Sequence, residues 1–301
     1  MASVICKGKK VDGERCSKPV KSGSYCHLHI DQHDGKKTKK KSSANKTQRT
    51  ITITFGDQAE NHKGMQMIGE LAEEGFTLAD LKAAKALFEA KDCKCELIKL
   101  HKDIDEEVKL DKAAILIVRQ GVNALLASKG KDEDDLYAEQ KALDWDSKAF
   151  MYGRVVNKKA RYNLCFGKKA QKPDYEEGKG RVIAFKDVEC TNIIRKKLKK
   201  FVGEKAASLV AEGNYYYDIT QCGIGFHGDS ERKKVIALRL GASMSLHYQW
   251  YQNSKPLGER IKIKLHHGDL YIMNEKATGF DWKKKKIPTL RHAAGSAKYV
   301  K

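Results

Sequence analysis

Residues 50–55 read T-I-T-I-T-F, apolar and polar positions in strict alternation, the period of a strand with one buried face. Gly56 and Asp57 end it, and residues 61–74 carry a helical pattern. Thr77 and Asp80 have capping-box spacing, and Leu78, Leu81, Leu87 and Phe88 then fall on one helical face. Residues 95–100 read as a strand, 113–118 as a fully buried strand and 122–128 as a short helix. Strands alternating with helices predict a small α/β domain with a parallel sheet over residues 50–135, closed by the charged run K-G-K-D-E-D-D. Residues 181–185 read as a short strand. Residues 192–211 form a helix with Ile194, Leu198, Phe201, Val202 and Leu209 on its apolar stripe. Arg195, Lys196, Lys197, Lys199, Lys200 and Lys205 cover the rest, a face suited to phosphates. After Gly213 the pattern turns to short strands with glycine turns: 215–219, 235–240, 244–251, 261–265, 270–273, 289–293 and 298–300. Such a series predicts a sandwich or small barrel, and the whole chain an α+β protein.

The length of 301 residues fits two domains or one with extensions, and 41% apolar content supports a real core. Lys and Arg number 59 against 39 Asp and Glu, a net charge of +20 that points to nucleic acid as partner. The longest aliphatic run, 113–118, is too short to cross a bilayer, so no membrane partner is expected. The first ten residues lack the apolar segment of a secretory signal. Cys93, Cys95, Cys165, Cys190 and Cys222 are scattered as reduced cysteines are, so the expected location is intracellular, nucleus or cytoplasm.

Three further cysteines open the chain. Cys6, Cys16 and Cys26 with His29 give C-x9-C-x9-C-x2-H, three thiolates and an imidazole, a closed structural Zn(II) set. His27 competes with His29 for the fourth place. A module of residues 1–32 is too short to bury a core and needs the metal. It resembles small Cys3His modules appended to viral and algal proteins. Residues 33–49 are a Lys-rich linker that can lie along phosphates or serve as a nuclear-import signal.

The sharpest chemistry lies at G-I-G-F-H-G-D-S-E, residues 223–231. Residues two apart on a strand share a face, so His227 and Asp229 can close on one ion. His292, in T-L-R-H-A-A-G, would complete a two-His-one-carboxylate triad, which holds Fe(II) on one face and leaves positions open. The competing reading is a surface turn with a His–Asp hydrogen bond. Upstream, Arg154, Lys158, Lys159, Arg161 and Tyr162 interleave cations with an aromatic, a pattern that grips a nucleic-acid backbone and stacks a base. An ordinary strand pair with a wet face fits them equally.

N-Y-Y-Y-D-I-T-Q-C-G-I-G-F-H-G-D-S-E, V-I-A-L-R-L-G, L-H-H-G-D-L-Y-I-M and T-L-R-H-A-A-G, in this order, resemble the AlkB-like branch of the Fe(II)/2-oxoglutarate dioxygenases, particularly its divergent members in large DNA viruses and their algal hosts. The likeness covers the last third of the chain well and the segment from Trp145 loosely. It implies a double-stranded β-helix, or jelly roll, over residues 136–301, iron on His227, Asp229 and His292, and 2-oxoglutarate hydrogen-bonded by Asn214 and Tyr216, with Tyr217 as substitute. Gly268 and Asp269 match a structural turn. The family's last strand carries an Arg for the distal carboxylate of 2-oxoglutarate, yet this chain ends nine residues after His292. Lys298 is the expected replacement, with Arg239 in reserve and Arg291 and Lys301 also at hand. W-K-K-K-K-I-P, around Trp282, is an insert expected to form a substrate lid. The implied activity is oxidative demethylation or hydroxylation of nucleic-acid bases, consuming O2 and 2-oxoglutarate and releasing succinate and CO2. A protein side-chain hydroxylase of the same class, or a catalytically silent nucleic-acid-binding or virion protein, are the alternatives, and a viral source is compatible with all three.

Overall fold

The computed structural model describes residues 4–5, 15–17, 19–20, 48–101 and 110–301. The chain divides into two compact units, Met1–Lys46 and Thr47–Lys301. In the first, Val4–Ile5 (β1) pairs antiparallel with Pro19–Val20 (β2), and Cys16 is buried. Cys6, Cys26, His27 and His29 of the expected zinc set lie outside the described residues, as does the Lys-rich run 33–47.

The second unit begins with Thr50–Gly56 (β3), Gln58–Glu60 (β4) and Met67–Gly69 (β5), then Leu78–Glu89 (α1), Cys95–Lys99 (β6), Ala114–Val118 (β7), Gly121–Leu126 (α2) and Glu133–Lys141 (α3). Lys148–Met151 (β8), Arg154–Asn157 (β9), Tyr162–Gly167 (β10), Val182–Ala184 (β11) and Glu189–Val202 (α4) follow. The remainder is Val210–Tyr216 (β12), Gly223–His227 (β13), Val235–Gly241 (β14), Met244–Gln252 (β15), Lys255–Leu265 (β16), Leu270–Met273 (β17), Glu275–Thr278 (α5) and Thr289–Gly295 (β18). The architecture is mixed α+β, mostly sheet. Eight strands form one sheet in the order β11-β10-β12-β3-β14-β17-β7-β6, and four form another in the order β13-β18-β15-β16.

The alternation along the large sheet's strands decides what packs on each face. On β14, Ile236, Leu238 and Leu240 join the cluster built with Phe88, Ile194, Leu198 and Phe201 of α1 and α4. Val235 and Ala237 point the other way, into a cluster with Leu246, Tyr248, Trp250 and Leu290 of the small sheet. β3 obeys the same rule: Ile51, Ile53 and Phe55 pack under the helices. Its threonines therefore face the space between the sheets rather than water, and Thr50 and Thr52 are buried. Thr77 and Asp80 form the expected capping box, with Thr77 Oγ1 accepting from the Asp80 N–H and Asp80 Oδ2 from the Thr77 N–H.

The expected separate α/β domain over residues 50–135 is not there. β3 lies between β12 and β14, antiparallel to both. β7 pairs antiparallel with β17 and β6, so no parallel sheet forms in this stretch. The strand–helix alternation is local, whereas the pairing partners lie more than a hundred residues downstream. Residues 61–74 hold a loop and β5 instead of a helix, and Leu87 is exposed. α4 starts at Glu189 and stops before Gly203, at φ 99°, so that Leu209 leads into β12. Residues 298–300 form no strand.

Candidate metal and ligand site

β13 and β18 run antiparallel with His227 opposite His292, after a register shift beyond Ile224. Directly opposed residues project to the same face, so the pairing alone brings the two rings within 4.5 Å of each other. Asp229 sits just beyond β13, its backbone N–H donating to Thr278 O of α5. Between the two ligands stands Gly228. A Cβ there would lie 2.1 Å from the carbonyl oxygen of Gly279 and 2.8 Å from Trp282 Cβ, so the close approach of two backbones requires glycine.

One ligand atom each from His227, Asp229 and His292 lies within 4.8 Å of the others. His227 Nε2 is 3.6 Å and His292 Nε2 3.5 Å from Asp229 Oδ1. Ligands about 2.1 Å from one ion at right angles sit about 3 Å apart, so small side-chain movements complete the set. His227 Nδ1 lies 2.8 Å from Gly225 O, which only an N–H can satisfy. That fixes the tautomer and leaves the Nε2 lone pair aimed at a carboxylate. Burial, with His292 beside it, lowers the His227 pKa to about 3, which keeps the ring neutral. Burial raises Asp229, but His292 and Arg232 outweigh it and hold the carboxyl below its usual range. His227, kept neutral with its Nδ1–H on Gly225 O, stands with His292 around an ionised carboxylate, a donor set that fits a divalent cation.

The triad opens into a cavity of about 750 Å3. Arg239, 1% exposed, lines it from β14, and its Nε and Nη1 have no hydrogen-bond partner among the described residues. Thr52 of β3 is its cross-strand partner, also lines the cavity, and has an unpartnered Oγ1. Tyr216 and Tyr271 line the same cavity, and the Tyr271 hydroxyl contacts Arg239. A buried guanidinium with two unpartnered donors among hydroxyls suits an anion, since desolvated donors without acceptors cost free energy. Carboxylates gather elsewhere on the wall. Arg232 is 4% exposed and pairs with Glu212, Glu231 at 2.8 Å and Asp229 at 3.7 Å. Burial, then the like charges of Glu231 and Glu212, raise Glu60 to about 7.

The uncharacterized protein R156 of Acanthamoeba polyphaga mimivirus is 54% identical over 254 residues, covering 84% of this chain and 98% of the viral protein. The chain belongs to that protein's family. No protein-family model matches it. Among the described residues, no helix is long and apolar enough to cross a membrane.

The cavity brings together His227, Asp229, His292, Asn214, Tyr216, Arg239, Arg161 and Trp282 of the sequence-expected set. Asn214 is tied in place: its Oδ1 accepts from Arg161 Nε at 2.6 Å and Asn163 Nδ2 at 2.9 Å, and its Nδ2 donates to Glu212. Tyr216 is the cavity residue, not Tyr217, whose hydroxyl donates to Lys159 O. Lys298, the first choice for an anion-binding cation, is exposed with its Nζ 5.0 Å above Tyr299. No strand carries it inward, whereas Arg239, the reserve choice, lines the cavity. Lys301 is likewise exposed. Arg291 is neighbour to His292 in sequence, so it points to the opposite face, over Tyr251 at 4.2 Å and Trp282 at 5.3 Å.

Of the expected nucleic-acid residues, Arg154 is exposed on β9. Lys158 turns inward and donates to Asn61 O, Asn61 Oδ1 and Asn163 Oδ1, and burial lowers it to about 8. It is a bracing side chain rather than a phosphate grip. Tyr162 stacks on Tyr217 at 4.6 Å. On α4, Arg195 donates to Leu209 O, Lys197 to Leu125 O and Ser128, and Lys199 pairs with Glu204, so that cationic face is largely spent on its own fold. Thr52, Tyr271, Glu212 and Arg232 escaped sequence reading, whereas Glu60, Asn61 and His62 belong to a polar loop after β3 that the sequence offers as a site, with a plain turn and helix cap as the favoured reading. The available signal was the lone charge in V-I-A-L-R-L-G, because a cation inside an apolar strand needs a partner.

Proposed function

We propose that this protein is an Fe(II)/2-oxoglutarate-dependent dioxygenase of AlkB-like type, its two sheets forming a double-stranded β-helix, acting on nucleic-acid bases by oxidative demethylation or hydroxylation. The observation that carries this reading is the coincidence in one cavity of a convergent His227–Asp229–His292 set and an unpartnered buried Arg239. One group calls for a divalent metal, the other for an anion beside it. The dicarboxylate 2-oxoglutarate suits that spacing of needs: one end chelates metal and the other meets a fixed cation.

When bound, iron supplies the activation of O2 and the oxidation of a substrate C–H bond. The protein's own residues bind and orient. His227 Nε2, Asp229 and His292 Nε2 hold the metal on one face. Arg239 receives the distal carboxylate, with Thr52 and the Tyr216 and Tyr271 hydroxyls as donors around it. Asn214, itself held by Arg161, lines the path between. Trp282 closes one wall. Arg239 on β14 with Thr52 on β3 supplies the chemistry that the resemblance assigns to a strand-borne Arg. A buried guanidinium whose Nε and Nη1 have no partner among the described residues counts against a catalytically silent binding protein, since the Tyr271 hydroxyl alone does not satisfy its donors.

The nucleic-acid half of the proposal is supported by the charge of +20 and by Lys63, Arg161 and Lys283 at the cavity wall. Location is proposed as intracellular, in the nucleus or cytoplasm of an infected host, with Zn(II) in the N-terminal module. The test is bound metal per chain followed by succinate release with methylated oligonucleotides. Iron-dependent release that His227→Ala reduces by about a hundredfold or more is expected. A purified chain that binds no divalent metal at the triad ends the proposal.

A further inference from the structure

β8 and β9 form a hairpin outside both large sheets. Met151 pairs with Arg154, so the connection is the two residues Tyr152 and Gly153. Their φ values are +55° and +74°, the signature of a type I′ turn, whose first place favours Asn, Asp or Gly. The chain follows that preference in the other two-residue turn of this kind, Asn253–Ser254 between β15 and β16, at φ +50° and +65°. At the β8–β9 tip it instead places a tyrosine in the left-handed region, with 90% of its surface exposed. The next most exposed large apolar side chain, Met67, is at 50%. Neither turn geometry nor core packing accounts for Tyr152, so its ring is presented outward.

The surroundings indicate what it is presented to. Between Asp146 and Asp174 the chain carries Lys148, Arg154, Lys158, Lys159, Arg161, Lys168, Lys169 and Lys172 and not one acid. Arg154, exposed on β9, adjoins the tip, while Lys148, exposed on β8, pairs with Asn157 at the root. The root of the hairpin adjoins the candidate site: Lys158 is bonded to Asn61, and Asn61 and Arg161 line the cavity. Four residues of strand carry the tip about 13 Å from that root, the rise of about four stacked nucleotides.

We infer that the β8–β9 hairpin is a strand-binding finger, in which Tyr152 stacks on an unpaired base of a single-stranded nucleic acid while Arg154, beside the tip, meets its phosphates. This rests on the nucleic-acid part of the function proposed above and on no step of its chemistry. Aromatic stacking tolerates any base, because every base has a π face, and flanking cations fix the backbone.

The test is fluorescence anisotropy of the full chain with a short labelled single-stranded DNA, and separately its RNA counterpart, with chelator present and no 2-oxoglutarate. Tyr152→Asn suits the turn better than the native residue, so folding is not at risk, and a thermal melt confirms it. It is expected to weaken binding about tenfold, whereas Tyr152→Phe retains affinity. Arg154→Glu is expected to weaken binding and to lower the salt dependence by about one to two phosphate contacts. Equal affinity of Tyr152→Asn and wild type for both oligonucleotides overturns the inference, as does a wild-type chain that binds neither. Weakened binding in a protein without turnover leaves the finger standing and removes the dioxygenase reading. Turnover with unchanged binding by Tyr152→Asn does the reverse.

Discussion

Arg239→Met separates a ligand-binding role from a structural one, because the two predict stability changes of opposite sign. The guanidinium is 1% exposed, with Nε and Nη1 unpartnered among the described residues and its contact with Tyr271 made to a neutral hydroxyl. Leaving a buried polar group unsatisfied costs about 1–3 kcal/mol, more when it is charged. Methionine of similar reach removes that cost and keeps the packing. The ligand-free variant should therefore be more stable than wild type by about 1–3 kcal/mol, or about 2–10 °C in Tm for a unit of this size. Adding 2-oxoglutarate at a hundredfold excess over its Kd should stabilise wild type by about 2.7 kcal/mol and leave the variant unmoved. The assay is thermal unfolding of both proteins with redox-inert Mn(II), with and without 2-oxoglutarate, so no turnover is needed. A variant that is less stable without ligand, or that still shifts with 2-oxoglutarate, refutes the reasoning.

Arg232→Met should do the opposite: Arg232 is matched by Glu212, Glu231 and Asp229, so its loss leaves three buried carboxylates facing one another. A destabilisation of about 3–5 kcal/mol in denaturant titration is expected, and a change under about 1 kcal/mol counts against the network. Glu60 gives a pH signature. Its folded pKa of about 7 lies above the ordinary carboxylate value because of burial. The folded chain thus binds more protons than the unfolded one between those values, and the stability Glu60 contributes is lost as pH rises through about 7. Glu60→Gln should therefore show a smaller fall in urea midpoint between acidic and mildly alkaline buffer than wild type, and parallel slopes would dispose of the argument.

The triad was legible because its residues are few, chemically distinctive and spaced by strand geometry: His227 and Asp229 two apart, His292 on the strand that pairs with β13. The capping box at Thr77 was legible for the same reason, since cap and partner are three residues apart. The cation that lines the cavity was legible only as a second choice, because proximity along the chain favoured Lys298, whereas proximity in space depends on which strand faces inward. The odd-numbered positions of β14 do so, and Arg239 follows Val235 and Ala237. The membership of β3 was hidden more deeply. Its partners Asn214 and Arg239 lie over a hundred and fifty residues away from Thr52, and no local periodicity encodes a pairing at that range.

Register then explains why the alternation of β3 misleads. Asn163, Asn214, Thr52 and Arg239 are successive cross-strand partners on β10, β12, β3 and β14. Together they make a polar row across the inner face of a sheet whose other face is apolar. A threonine at every second position reads as a wet face when the strand is taken alone, yet Thr52 is 5% exposed. An internal polar row is stable only where its members find partners, and here the first two do, while the Thr52 hydroxyl and Nε and Nη1 of Arg239 have none among the described residues. The unsatisfied end of the row is the end beside Tyr271, in the cavity that also holds His292. A fold that satisfies its polar row at one end and leaves donors open at the other, next to convergent metal ligands, offers that end to an acceptor from outside the chain, and the response of wild type and Arg239→Met to 2-oxoglutarate decides whether one binds there.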